Sequence, residues 1–172
     1  MMSGTMNGFL LSILICLPIL GSVTVMLAGA HRPLMAKGLA LVISAVTFLL
    51  ALPLFFSFDT STASMQFVEL RPWIETFNIN YYLGVDGFSA PLILLTAFFG
   101  VLVVIAGWQS IEKNANQYMA AFLVMEGLMI GVFSALDGLL FYIFFEAQLI
   151  PMFLVIGVWG GPRRVYATIK FF

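Results

Sequence analysis

The chain has 172 residues, a formal net charge of −1, 9% charged side chains and 62% hydrophobic ones, with a mean hydropathy of +1.10. These values exclude an ordinary soluble domain and a disordered one, and no run of Lys or Arg exceeds two residues, so there is no electrostatic footprint for nucleic acid. What remains is a membrane protein of several spans that lives in the lipid bilayer.

The start, MMSGTMNG, has no basic residue, and the apolar run behind it continues to Ala30. That is too long and wrongly flanked for a cleaved secretory signal, so it reads as a retained first span over 8–30. The single Cys16 lies inside it and reads as a small packing residue; one copy of the chain can build neither a disulfide nor a cysteine-rich metal site. His31, Arg32 and Lys37 make the first connection, with His31 as an interfacial residue, and a second span follows over 38–58. The long connection 59–88 carries Asp59, Glu69, Arg71, Glu75 and Asp86. Within it Phe77, Ile79, Tyr81 and Leu83 alternate with Asn78, Asn80 and Tyr82, a period of two that predicts a strand on the membrane surface, paired in a hairpin with MQFVEL. The break at 84–89 offers Asp86 or Ser89 as the cap of a third helix, with Pro91 tolerated in its first turn.

Three more spans follow over 89–110, 118–135 and 139–159. Trp108 and Trp159 fall at ends that belong in an interfacial belt, Glu112 and Lys113 cancel in the short third connection, and Asp137 sits in a tight turn. After Arg163, Arg164 and Lys170 the chain enters a new apolar run, the start of a sixth span. The predicted fold is therefore all-α and polytopic, about five spans and the start of another, with a short strand-like outer loop. Basic residues alternate between sides, so the positive-inside rule puts 31–37 and the C-terminal basic cluster in the cytoplasm and the N-terminus and 59–88 outside.

Two acids carry the chemistry. A helix over 139–159 rises about 31 Å, enough to cross a hydrocarbon core of roughly 30 Å, and puts Glu146 within about 5 Å of its centre. A charge there is costly, and such a residue faces protein or water and marks an ion or proton path. Pro151 leaves the carbonyl of Ala147 without its helical donor, which predicts a kink, and Gln148 lies about 200° around the helix from Glu146, so the helix touches polar surroundings on two sides. Glu126 is the ninth residue of the span 118–135. It stands eleven residues before Asp137 and Glu146 nine after, so in an antiparallel hairpin the two carboxyls differ in level by about 3 Å. Gly127 and Gly131 would let these helices approach closely. If the two carboxyls share one dry site, they would form the coupled pair a proton relay uses. No Lys or Arg lies at mid-depth in the predicted spans, so a cationic partner would come from another helix or another subunit. No spacing resembles a metal site.

The segments LGVDGFSAPLILLT, GVFSALDGLLFYIFFEAQLIPMFLVIGVWGG and ATIKFF resemble the chain M type, or fourth NADH dehydrogenase-like subunit, of respiratory complex I, the proton-translocating NADH-quinone oxidoreductase. The likeness runs from about Leu70 to Phe172, and before Phe58 it is carried by hydropathy. It implies an antiporter-like fold of inverted repeats, with 1–58 as two lead-in helices, 59–88 as a periplasmic loop and 89–172 as the start of the proton-translocation domain. It implies that the glutamate of FFEAQLIP, Glu146, is a proton-pathway residue, with Glu126 at a position where such proteins often carry an acid. The partners it implies are other complex I membrane subunits, above all neighbouring antiporter-like ones, in a bacterial inner membrane with the N-terminus periplasmic. NADH, FMN, iron-sulfur clusters and quinone are expected elsewhere in the complex, and no cofactor on this chain, which has no Gly-rich phosphate loop. Mid-membrane acids would equally serve a subunit of a multisubunit sodium/proton antiporter or a membrane-bound hydrogenase.

Overall fold

A computed structural model describes residues 8–28, 32–111 and 113–171, so the readings placed on His31 and Glu112 lie outside the described residues. The helices are α1 (Leu10–Ala28), α2 (Pro33–Phe56), α3 (Ser89–Ser110), α4 (Ala115–Ser134), α5 (Gly138–Trp159) and α6 (Arg164–Phe171). Between α2 and α3 lie two strands, β1 (Gln66–Ile74) and β2 (Ile79–Val85), joined by a 3-10 turn over Glu75–Phe77. The helices α1 to α5 are long and apolar enough to cross a membrane, and the fold is that of a polytopic helical membrane protein. α6 has eight residues and packs back on α5, where Thr168 sits over Gly157.

Several boundaries differ from those predicted, α4 for one starting at Ala115, three residues before the span expected from position 118, and two of the shifts have a plain local cause. α2 begins at Pro33, five residues before the span expected from position 38, because a proline at the first helical position has no N–H to lose and its φ is already helical. Lys37 therefore belongs to a helix and not to a connection. The predicted strand from Phe77 begins at Ile79, since Phe77 closes the 3-10 turn and Asn78, at φ 52°, takes the left-handed conformation that reverses the chain.

α4 is the centre of the bundle, packed by α1, α2, α3 and α5. Lipid is as apolar as leucine, so helices associate in a membrane through close packing of small residues more than through burial of large ones. The buried faces fit that rule: Ala36, Ala40 and Ala51 on α2, Ala90 and Ala97 on α3, Ala120 and Gly127 on α4. Leu20, Leu27, Phe56 and Ile105 point outward, where lipid receives them.

The β hairpin is fastened across one end of this bundle. Its strands pair antiparallel from Gln66 with Val85 to Ile74 with Ile79, with irregularities after Gln66 and after Pro72. The Glu69 carboxylate accepts the N–H of Leu11 at 2.8 Å and of Ser12 at 3.2 Å, and the Ser12 hydroxyl as well. A carboxylate from a distant strand thus supplies the acceptors that the first turn of α1 lacks. Ser12 Oγ also meets the Tyr81 hydroxyl at 2.9 Å, and the Arg71 guanidinium lies 4.5 Å from the centre of the Phe9 ring. On the other edge, Leu136 N–H donates to the Tyr82 carbonyl at 2.8 Å and Asn80 N–H to the Asp137 carboxylate at 3.2 Å. Asp86 and Ser89 do both cap α3: the Asp86 carboxylate accepts the N–H of Ser89 at 2.7 Å and of Phe88 at 3.1 Å, while Ser89 Oγ accepts the N–H of Asp86. These bonds, that of the Ser89 backbone first, hold Asp86 below the ordinary carboxylate range.

Candidate functional site

Glu126 is carried by α4 on the side that faces α3. It is 5% exposed, and its Oε1 has no hydrogen-bond partner among the described residues. The carboxyl group lies against the backbone of Gly100 on α3. A Cβ at Gly100 would stand 2.5 Å from the Glu126 carboxyl carbon and 2.6 and 2.7 Å from its two oxygens. The next residue, Gly127, makes a second close approach. A Cβ there would meet the Ile15 carbonyl oxygen at 2.6 Å and Ile19 at 2.7 Å, so the glycine lets α1 press against α4 and turns the preceding acid toward α3. Gly131 faces the Phe144 ring of α5 instead. Of the two glycines expected to bring α4 and α5 together, Gly131 does so and Gly127 serves α1.

Glu146 is the ninth residue of α5 and lies on an exposed face of the described bundle. Ile150, which is 62% exposed, Leu154 and Val158 continue the same line down the helix at intervals of four residues. Gln148, on another side, is half-buried with Oε1 unpartnered among the described residues. Pro151 sits inside an uninterrupted helical segment and is buried at one wall of a cleft of about 430 Å³ between α1, α4 and α5. Ser22, Met26, Val124, Leu154 and Trp159 also line this cleft, so it is almost wholly apolar. The two acids thus sit at the middles of neighbouring antiparallel helices, one enclosed against α3 and the other on an open face of α5.

The residue that sequence reasoning missed is Lys37. It is 8% exposed, and its Nζ donates to the Trp108 carbonyl at 2.6 Å. This ammonium caps the C-terminal end of α3, where the helix dipole is negative and the last carbonyls lack donors. The signal was Pro33: a helix started there carries position 37 into its second turn. At the same end, Trp159 Nε1 donates to the Lys113 carbonyl at 2.9 Å and its ring meets Tyr118 edge-on, while Arg164 donates to the Val158 carbonyl at 3.0 Å. Basic residues therefore cluster at the end of the bundle opposite the hairpin.

Comparisons with known proteins agree over nearly all of the chain. Residues 6–135 match the family described as NADH-ubiquinone oxidoreductase chain 4, amino terminus, and residues 135–172 match one described as NADH:quinone oxidoreductase/Mrp antiporter, TM. The NADH-quinone oxidoreductase subunit M of Rhodobacter capsulatus is 48% identical over 95% of this chain and 32% of its own. The NADH-ubiquinone oxidoreductase chain 4 of Arabidopsis thaliana is 45% identical over 95% of this chain and 33% of its own. The chain thus spans about a third of the length of the curated relatives it matches. Among solved structures, a chain of respiratory complex I from Thermus thermophilus with bound NADH superposes with a TM-score of 0.73 at 31% identity, covering 94% of this chain and 32% of that one. A chain of an archaeal membrane-bound sulfane sulfur reductase shares the fold, with a TM-score of 0.79 at 20% identity over 94% of this chain and 33% of that one.

Proposed function

We propose, for a chain that belongs to the NADH-ubiquinone oxidoreductase chain 4 family, the role of a membrane-arm subunit that moves protons across the bilayer while electrons pass from NADH to quinone in other subunits. The observation that carries this reading is the pair of mid-helix acids. Glu146 at the middle of α5 and Glu126 at the middle of α4 stand where a carboxyl group has little reason to be unless it takes up and releases a proton. NADH, FMN, iron-sulfur clusters and quinone belong to other subunits in this reading, and this chain contributes a translocating part. The segments divide as 1–58, lead-in helices; 59–88, an outer loop; and 89–172, the start of the translocation domain. Its partners are other membrane subunits of the complex, with an antiporter-like subunit alongside.

The alternating basic residues orient it in a bacterial inner membrane with the hairpin periplasmic and Lys37, Lys113, Arg163 and Arg164 cytoplasmic. A cysteine placed at Ser64, at the hairpin end, should react with a membrane-impermeant thiol reagent added from the periplasmic side; reaction only from the cytoplasmic side would invert the assignment. A subunit of a sodium/proton antiporter or a membrane-bound hydrogenase is the second reading, favoured by the match of 135–172 to a family that also takes in Mrp antiporters. The experiment that tests the first reading is Glu146→Gln in the full-length protein, with proton pumping measured in vesicles holding the assembled complex. Gln keeps size and hydrogen bonding and removes titration. Pumping should fall at least about tenfold, since a positioned acid or base contributes a hundredfold or more; pumping at the unaltered rate would make Glu146 a structural residue.

A further inference from the structure

The Glu126 carboxyl occupies a place that exists because α3 has no side chain at Gly100. Gly100 is the twelfth of the 22 residues of α3, and Glu126 the twelfth of the 20 of α4, so the meeting point is at mid-length on both helices. The Lys37–Trp108 hydrogen bond and the Phe48–Phe98 ring contact, 5.7 Å between centroids, fix the antiparallel register of α2 on α3. That register brings Ser44 and Thr47 of α2, both fully buried, to the depth of Gly100. Their hydroxyls donate to the carbonyls of Ala40 and Ile43 on their own helix. The notch is walled by the Gly100 backbone, and Oε1 finds no hydrogen-bond donor among the described residues.

We propose that Gly100 is a positioning residue for Glu126: the side chain missing from α3 seats the carboxyl group and holds it inside the α1–α4 bundle, away from the open face of α5. The inference deepens the proton-carrying reading and rests on it for its functional meaning. A methyl group added at Gly100 would overlap the carboxyl, not a backbone, and the end of a glutamate side chain can swing aside where a helix cannot. Gly100→Ala should therefore displace the acid and leave the helix packing in place.

The test is made on the full-length protein in its assembled complex, with a hydrophobic carbodiimide as the probe and modification at position 126 located by peptide mass spectrometry. With Gly at 100, Glu126 should react slowly; Gly100→Ala should raise its rate severalfold. Glu126→Asp shortens the arm by one methylene and withdraws the carboxyl from the notch, so Gly100→Ala should leave the aspartate's rate unchanged. Equal acceleration in both backgrounds, or none in either, overturns the proposal, because the first is general loosening and the second means that the carboxyl never moved. Should Gly100→Ala fail to assemble, recovery of assembly by Glu126→Asp supports the clash between these two groups, and no recovery overturns it. Proton pumping is read in the same samples. Acceleration at Glu126 with pumping intact would leave the positioning role standing and remove Glu126 from the proton path.

Discussion

α4 and α5 run antiparallel and each holds one glutamate near its middle, yet half of the spanning window of α4 (50%) is buried within the described bundle and only 11% of that of α5. α4 is also the least apolar of the five, which a central helix can tolerate because protein and not lipid surrounds it. Glu126 is enclosed by the described residues: Gly100 receives the carboxyl and Gly127 sets the helix spacing. Glu146 is not enclosed by them. It lies on an exposed face of α5, and further along the helix Ile150, Leu154 and Val158 line the open apolar cleft between α1, α4 and α5. The lesson is that two acids at the middles of neighbouring helices need not have one job. An enclosed acid is fixed by its own bundle, and an open one is free to answer to a partner.

The sharpest way to break this comparison is to remove titration from each acid in turn. In assembled complexes Glu146→Gln should lose most proton pumping and the electron transfer coupled to it, while Glu146→Asp, which still titrates on a shorter arm, should keep a substantial part. Glu126→Gln should do less harm, with Glu146 still able to load a proton. Assembly is checked by native gel in each case. If Glu126→Gln pumps worse than Glu146→Gln, the enclosed acid is the principal carrier and the contrast drawn between the two helices is reversed.

The next largest effect is expected at the hairpin end. Glu69 provides acceptors for two backbone N–H groups and one hydroxyl at the start of α1, and it is itself buried. Hydrogen bonds to a charged group contribute about 1.5 to 3 kcal/mol each, and such terms are not additive. Glu69→Ala should cost roughly 3 kcal/mol of stability against denaturing detergent and free the hairpin from α1, seen as faster hydrogen exchange at Leu11 and Ser12. Unaltered exchange at these two amides would mean that the hairpin does not fasten α1. At the opposite end Lys37→Met keeps the length of the stem but removes the donor to the Trp108 carbonyl. A part-buried carbonyl left without its donor costs toward the lower end of about 1 to 3 kcal/mol, so the expected loss is smaller, and it should be confined to the α2–α3 contact. A loss as large as that of Glu69→Ala would show that Lys37 holds more than one helix end.

The contrast between legible and illegible parts follows the same line. The spans, the capping pair Asp86 and Ser89, and the surface strand were readable because each rests on local pattern: apolar runs of membrane length, a polar residue ahead of a helix, a period of two. Lys37 was misplaced because a basic residue beside Arg32 reads as a topological marker unless Pro33 is taken as a helix start. The mid-helix positions of Glu126 and Glu146 were readable by counting from Asp137. Which way each acid points was not, because rotation about a helix axis is set by its neighbours: Gly100 lies 26 positions before Glu126 in sequence, and no periodicity within α4 reports it. Glu69 was hidden for the same reason, since a carboxylate on a strand gives no local sign that it will cap a helix 58 positions away.

The smallest effect separates the two anchors of the hairpin. Asp137 is the N-cap of α5, accepting the N–H of Leu139 at 2.9 Å and of Leu140 at 3.2 Å, and it also holds the N–H of Asn80 in β2. Bonds from Asn80 first and from the start of α5 next lower its pKa from an ordinary value of 3.8. A lowered folded-state pKa means that the ionised form favours the folded arrangement. That contribution is complete above pH 3.8 and is lost as pH falls from there through the lower folded value. Between neutrality and pH 5 hydrogen exchange at Asn80 and Leu140, corrected for its intrinsic pH dependence, should therefore stay flat, and protection should fall only on further acidification. Asp137→Asn keeps an acceptor oxygen but cannot ionise, so it should lower protection at neutral pH slightly and flatten the acid limb. The β1 anchor at Leu11 and Ser12 serves as the internal control, because it does not depend on Asp137. If protection at Leu11 falls in step with that at Asn80 in the Asp137→Asn protein, the hairpin moves as one rigid clasp and its two edges are not independent.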